Sequence, residues 1–354
     1  MTAAQVINIT KVETSKLNDL SLENIPFGRY FSDHMLEADY ENGEWKNVEI
    51  KPYQPLLFDP SLAAFHYGQA IFEGIKAYKS ESGEAFIFRP YDNFRRFNVS
   101  AERMCMPTVP EEIFIEGMRQ LIEIDKNWIP ARKDHSLYIR PFMISTDTML
   151  GVKPSETYKF MIILSPTGPY YATPMKINVE ERFTRAAPGG VGFSKNAGNY
   201  GGSMKAAREA NKQGYDQVLW TDAVEHKWLQ EVGMMNVFFL VNGVALTPSL
   251  EEGTILQGVT RDSVITLLKE AGIPVEERRI SIDELITAYK AGQLQEVFGT
   301  GTAATIAYIK ELKYKDEVMT FDTDSWKTAP FLRKQLGEIR ESAIPDTHNW
   351  MFKI

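Results

Sequence analysis

Pro188-Gly189-Gly190-Val191-Gly192-Phe193-Ser194-Lys195-Asn196-Ala197-Gly198-Asn199-Tyr200-Gly201-Gly202 places a single lysine among six glycines near the middle of the chain. Glycine at that density lets the backbone pass close to another object and take up positive φ. An isolated ammonium in such a setting is a candidate reactive amine. Desolvation lowers a lysine's pKa, and the neutral amine condenses with a carbonyl to a Schiff base. A glycine-rich loop carrying a lysine by chance is the competing reading, so the rest of the chain decides.

The length of 354 residues exceeds one ordinary core and predicts two domains. With 44% hydrophobic and 24% charged residues the balance is that of a globular protein. A net charge of −8, without basic runs interleaved with aromatics, argues against a nucleic-acid partner. One cysteine, Cys105, rules out an intrachain disulfide framework and a cysteine zinc site, and no metal is expected. The N-terminal stretch has no apolar core flanked by basic residues, and apolar runs such as Phe160–Leu164 are too short for a bilayer. No membrane partner is expected, and a cytoplasmic location is.

Working outward from the lysine, Ala85–Arg89 reads as a strand. Tyr91–Met104 reads as a helix with Phe94, Phe97, Ala101 and Met104 on one face. Glu111–Ile124 reads as a second helix, and Ser136–Ile144 and Tyr158–Leu164 as buried strands. Ser165–Met175 holds three prolines and a glycine in eleven residues, and is read as the interdomain linker. Its Tyr170 and Tyr171 could fold over a cleft or belong to a solvated hinge. Beyond it, Met175–Phe183 reads as a strand, Met204–Gln213 as a helix closed by Gly214, and Leu229–Leu240 as a strand. Asn242-Gly243 signals a hairpin, and Ala329–Glu341 a final helix. The expectation is an α+β fold of two domains. Residues 1–164 form a smaller N-terminal α/β domain, 165–175 the linker, and 176–354 a larger mixed-β domain with flanking helices.

Several segments carry parts for binding an anion and a pyridine ring. Gly258 stands immediately before a helix start, so the amides of Val259 and Thr260 and the Thr260 hydroxyl can meet an anion at its positive end. Gly299-Thr300-Gly301-Thr302-Ala303-Ala304 offers a second nest of amides and hydroxyls. Arg95, Arg96 and Arg103 on the first long helix are candidate anion partners, against the alternative of a solvated face. Glu231 lies in an otherwise apolar strand, where a carboxylate is expensive to bury unpaired. It either faces water at a strand end or a protonated ring nitrogen. Tyr138 and Arg140 alternate onto one side of a strand, and Arg140 needs a carboxylate from protein or ligand. Phe31, Tyr67, Phe72 and Met234 could supply an apolar wall or plain core.

Taken in order, these blocks resemble the branched-chain amino acid aminotransferases of the fold-type IV pyridoxal-phosphate enzymes. The resemblance runs from about Tyr30 to Ile309 through Tyr30–Leu36, His66–Tyr78, Arg89-Pro90, Arg96, Tyr138–Pro141, Lys195–Tyr200, Glu231–Phe238, Leu256–Arg261 and Phe298–Ala303. It implies pyridoxal 5'-phosphate held by Lys195 as a Schiff base, with Lys195 also moving the substrate proton. Tyr200 would meet the phenolic oxygen and Glu231 the ring nitrogen. Arg96, the amides of Val259 and Thr260, and Thr302 would hold the phosphate. Tyr67 with the amides around Thr302-Ala303 would take the substrate α-carboxylate, and Phe31, Phe72 and Tyr138 would line the side-chain pocket. Arg140 would accept the γ-carboxylate of glutamate. It implies a homodimer in which the loop around Leu150-Gly151-Val152 and the linker tyrosines close the sites. Mammalian relatives carry a Cys-x-x-Cys pair where this chain has Ala304 and Ala307, and a threonine where it has Met234.

The implied reaction is transamination of leucine, isoleucine and valine with 2-oxoglutarate. One pocket must then accept both an isobutyl-like chain and a carboxylate, for which apolar walls with a single edge arginine are expected. A D-amino acid aminotransferase or an aminodeoxychorismate lyase of the same fold is the alternative, followed by a non-catalytic cofactor-binding protein, which would be expected to lack Lys195 or Glu231.

Overall fold

A computed structural model describes residues 7–21, 25–169 and 173–354. Tyr170 and Tyr171 lie outside the described residues. The chain divides into two compact units. The first comprises the described residues up to 169 together with Lys195–Ala197 and Gly337–Ile354; the second comprises the described residues to Ser194 and Gly198–Leu336. Residues 176–354, expected in one unbroken domain, are therefore divided. The strand Met351–Lys353 pairs antiparallel with Ala85–Phe88, and Asn196 bridges to Ile71, which ties both stretches to the first unit.

The first unit is built on a nine-stranded, largely antiparallel sheet. Its centre is the pair Ser136–Ser145 and Tyr158–Thr167, in register from Ser136 opposite Thr167 to Ser145 opposite Tyr158. The second of these strands thus reaches three residues into the segment read as linker. Alternation sends Leu137, Ile139 and Met143 into the core, and Tyr138, Arg140 and Phe142 to the other face. Pro141 sits in this strand without an N–H to donate. Its neighbour on that side is interrupted at Glu73-Gly74, between the strands Ala70–Phe72 and Ile75–Lys79, so no ladder bond is lost. The Glu73 N–H donates to Pro141 O at 2.7 Å.

The helix Pro90–Arg103 packs on this sheet, with proline in its first turn where a missing N–H costs nothing. Its Phe97 meets Phe114 and Phe160 at centroid distances of 5.3 and 5.5 Å, a fully buried aromatic cluster. The helix read at 111–124 is present as a widened turn, Glu112–Glu116, continuing into Gly117–Ile124.

The second unit has its own nine-stranded mixed sheet. Its core gathers Ile177, Leu219, Val237, Phe239, Leu246, Leu285, Val297 and Ile309. The Asn242-Gly243 hairpin forms as read, with φ of 49° and 76° and Val241 opposite Val244. The stretch read as one strand over 229–240 is two, Leu229–Val232 and Asn236–Val241. Gly233 takes φ +56° and turns the chain, so Val232 pairs with Met235 and Met234 is left half exposed. The helix read from Met204 begins seven residues earlier, as Ala197–Lys212. Asn199 ties its first turn to the preceding loop by donating to Val191 O and Ser194 O, both at 2.9 Å.

The helix Thr328–Arg340 starts on a buried carboxylate. Glu296, 4% exposed, accepts from the N–H groups of Lys327, Thr328 and Ala329 at 2.7–2.8 Å. Three helix-start donors and the positive dipole end are satisfied by one side chain. Glu296→Ala is expected to lower stability by about 3 kcal/mol, since buried orphan donors cost about 1–3 kcal/mol each. Urea unfolding checks it, and a loss below about 1 kcal/mol would show the cap to be incidental. Among the described residues no helix is long and apolar enough to cross a membrane.

Candidate active site

In the first unit the lysine is fixed by its backbone. Asn196 makes an antiparallel bridge to Ile71, and the Lys195 carbonyl accepts the Phe72 N–H at 3.0 Å. The Lys195 N–H donates to Ser100 Oγ at 2.8 Å, and that hydroxyl donates onward to Arg96 O at 3.1 Å. The lysine-bearing stretch is thus laid along a sheet edge and pinned to the helix that carries Arg96. Its Nζ lies 5.0 Å from the centroid of the Phe72 ring.

One turn before Ser100, Arg96 makes a two-pronged ion pair with Glu73. Nε meets Oε1 at 2.7 Å and Nη2 meets Oε2 at 2.8 Å. Glu73 is fully buried and also accepts from Asn93 Nδ2 at 2.9 Å and from the adjacent Gly74 N–H at 3.1 Å. Burial alone would raise the Glu73 carboxyl; the Arg96 guanidinium, with Lys195 and Asn93, overrides it and holds the group below the usual carboxylate range. Arg95, by contrast, is an exposed partner of Asp92.

Tyr138 and Arg140 share a face, as strand alternation requires. Arg140 Nη2 donates to Tyr138 Oη at 3.0 Å, and its guanidinium carbon lies 4.7 Å from the Phe72 ring centroid and 5.2 Å from that of Tyr138. Its Nε is buried and has no partner among the described residues. Phe27 packs edge-on against Tyr138. A Cβ at Gly74 would fall 2.2 Å from the Tyr138 hydroxyl, so only glycine leaves room for it. Phe31 stacks on Tyr53 with centroids 5.0 Å apart, and Tyr67 Oη donates to Leu150 O at 2.5 Å.

In the second unit Glu231 is buried rather than at a wet strand end. Its Oε2 lies 2.6 Å from Arg185 Nη2, and its Oε1 accepts from Leu256 N–H and Asn236 Nδ2 at 3.1 and 3.3 Å. Arg185 is anchored in turn on Thr254 O and Gly192 O. A Cβ at Gly258 would stand 1.9 Å from Asn236 Oδ1, so glycine there is a condition for the arrangement around Glu231. Gly258 precedes the helix Val259–Glu270, whose first turn opens with Val259 and Thr260. Thr302 and Ala303 form the turn joining Leu294–Gly301 to Thr305–Tyr314, and Tyr200 lies in the first turn of Ala197–Lys212.

The Amino-transferase class IV family profile matches residues 70–312. The chain belongs to the class IV aminotransferase family. It is 49% identical over 337 residues to branched-chain-amino-acid transaminase 1 of Bacillus subtilis (strain 168), covering 94% of each chain. To the branched-chain-amino-acid aminotransferase of Mycolicibacterium smegmatis it is 42% identical over 355 residues, covering 98% of this chain and 96% of that one. Among solved structures, the branched-chain amino acid aminotransferase from Escherichia coli superposes with TM-score 0.72 at 26% identity, covering 90% of this chain and 98% of that one. A T.th. branched-chain amino acid aminotransferase, complexed with N-(5'-phosphopyridoxyl)-L-glutamate, gives TM-score 0.72 at 26% identity, covering 89% and 97%. The two-unit α+β fold expected from the sequence is the fold of these class IV enzymes.

Membership in the family also sharpens what the sequence reading passed over. Glu73, Asn93, Ser100, Arg185 and Asn236 have no role in that reading, yet they hold Arg96, Lys195 and Glu231 in place. A sequence signal existed for Glu73, an acid between apolar Phe72 and Gly74 beside a buried strand. None existed for Arg185, which meets Glu231 across 46 residues (231 − 185) of chain. Among the described residues no cluster of three or more His, Cys, Asp or Glu could hold a metal ion. The first unit supplies an amine and a clamped guanidinium, and the second supplies a helix start, hydroxyls and a buried carboxylate. That chemistry fits a phosphorylated pyridine aldehyde.

Proposed function

We propose that the chain transfers amino groups from leucine, isoleucine and valine to 2-oxoglutarate, with pyridoxal 5'-phosphate as cofactor, giving branched 2-oxo acids and L-glutamate. The observation that carries this reading is the Phe72–Tyr138–Arg140 group. Two aromatic faces flank one guanidinium whose buried Nε has no partner among the described residues. Such a wall can bury an isobutyl chain and can equally pair with a γ-carboxylate, as alternating substrates demand. The names carried by the Bacillus and Mycolicibacterium relatives support the same substrate class.

When bound, the cofactor supplies an aldehyde and an electron-withdrawing ring that weakens the substrate Cα–H bond. The residues supply the rest. Lys195 Nζ would hold the cofactor covalently and would move the substrate proton from Cα. Its pinned backbone keeps that amine on one path, and Phe72 beside it excludes water. Glu231 would face the ring nitrogen, and its 2.6 Å ion pair with Arg185 holds that carboxylate in its buried position. Arg96, the Val259 and Thr260 amides, and Thr302 would hold the phosphate, and Tyr200 the phenolic oxygen. Tyr67 and the Thr302-Ala303 amides take the α-carboxylate, while Phe31, Phe72, Tyr138 and Met234 shape the side-chain pocket. Exposed Phe65, Met149, Leu150 and Val152 fit a homodimer contact, and a single cysteine fits a cytoplasmic location.

The test is a substrate panel. Turnover of leucine, isoleucine and valine with 2-oxoglutarate is expected; activity on D-alanine or aminodeoxychorismate with none on leucine would overturn the reading. Within it, Arg140→Ala should lower kcat/KM for glutamate about 30- to 150-fold more than for leucine. That ratio corresponds to about 2–3 kcal/mol for one charge-assisted contact. Equal losses for both substrates would remove the assigned role.

A further inference from the structure

We propose that Glu73 is a positioning residue: its buried carboxylate fixes the plane in which Arg96 presents its guanidinium, and thereby sets the preference for a phosphorylated ligand over the same ligand without phosphate. The inference rests on the reading that Arg96 serves a cofactor phosphate, and deepens it.

The geometry is that of a clamp. Glu73 lies in the break between two strands, opposite Pro141, with its own N–H held by Pro141 O. From there it receives Arg96 Nε and Nη2 in the parallel two-bond arrangement that defines the guanidinium plane. Asn93, one turn before Arg96 on the same helix, and the Gly74 N–H complete its shell. A free arginine side chain surrenders considerable rotamer entropy when it binds an anion. Here that ordering is completed in folding, before any ligand arrives.

Two physical effects of Glu73 have opposite signs, and this makes the role testable. A negative charge beside Arg96 weakens its attraction for phosphate through Coulomb's law. The clamp strengthens phosphate binding by holding the guanidinium aimed. If charge dominates, Glu73→Gln improves the phosphate preference; if positioning dominates, it spoils it. The four donors converging on a carboxylate with no solvent exposure favour positioning, since glutamine can receive only part of that set.

The experiment measures dissociation constants of pyridoxal 5'-phosphate and of pyridoxal for the full chain freed of cofactor, by quenching of tryptophan fluorescence. The quantity read is the ratio of the two constants. Glu73→Gln should reduce the advantage of the phosphorylated form about 10-fold or more, the share of one charged hydrogen bond or greater. Binding of pyridoxal itself should stay within about threefold of wild type. Glu73→Asp, which keeps the charge and part of the shell, should recover part of the ratio. Asn93→Ser, which removes one support without touching charge, should move it the same way by less. It carries the test if the glutamine variant does not fold. An unchanged or increased ratio overturns the proposal, and so does equal weakening of both ligands, the mark of general damage. Failure of the wild-type chain to prefer the phosphorylated form would remove the reading beneath it, a result distinguishable from a wild-type preference that Glu73→Gln leaves intact.

Discussion

Lys195→Ala is expected to reduce transamination of leucine by on the order of 10⁵-fold or more, the scale seen when a nucleophile that acts within a concerted unit is removed. In the proposed reaction two functions end together, because the same nitrogen would hold the cofactor and carry the proton. The fold should survive the change. The stretch 195–197 is placed by its main chain, through the Ser100 hydroxyl, the Phe72 N–H and the Asn196 bridge, and alanine keeps all three. The variant should therefore unfold cooperatively near the wild-type urea midpoint and still bind the phosphate ester without a covalent link. Borohydride treatment followed by intact-mass analysis checks the bond, and coupled assays check the rate. Turnover within 100-fold of wild type, or covalent capture of the cofactor in the variant, would mean that another amine does the work.

The lysine was legible because its signal is local, a glycine-rich run around one cation. So were the Asn242-Gly243 hairpin, set by the dihedral preferences of two residues, and the first long helix, set by the spacing of Phe94, Phe97 and Ala101. Signals that depend on distant partners were not. The strands His34–Glu41 and Glu44–Pro52 carry Glu37, Asp39 and Lys51, charged residues whose pairing no local pattern announces. In the fold Glu37 is buried and its charge is met by Lys51 at 2.9 Å and by Lys159 from another strand. The helix Ala197–Lys212 hid behind Gly198, Gly201 and Gly202, whose low helix propensity is outweighed by the Asn199 bonds that nucleate its first turn. Glu231 was visible as an anomaly, an acid in an apolar run. Its partner Arg185 was not, since nothing in the sequence says which cation will fold back across the intervening chain. The residues proposed for chemistry were thus easier to single out than those holding them in place.

The second large effect concerns stability rather than turnover. Lys76, on the strand Ile75–Lys79, stands opposite Tyr138 and is only 7% exposed. Burial, and then repulsion from the Arg340 guanidinium, lower its ammonium from the ordinary 10.5 to about 7, with Asp134 offsetting part of the shift. The unfolded chain therefore binds a proton at this position between pH 7 and 10.5 that the folded chain has released. Stability must rise with pH through that window, and the penalty is fully present below pH 7. A shift of that size corresponds to about 4–5 kcal/mol, an upper figure because relaxation around a buried amine recovers part of it. Lys76→Met keeps the length of the stem and removes the charge. It should stabilise the protein at pH 6.5 by at least about 2 kcal/mol and by less than about 1 kcal/mol at pH 10, where the wild-type amine is neutral when folded and about three-quarters protonated when unfolded. Urea unfolding of both chains across pH 6–10.5 reads the slope directly. A wild-type curve that is flat over this range, or a methionine variant that keeps the same slope, would show that Lys76 retains its proton in the fold. Arg340, stacked on the rings of Tyr78 and Phe88, provides the internal check. Removing its charge as Arg340→Met should move the onset of the wild-type slope to higher pH, because one of the two forces on the Lys76 ammonium is then gone.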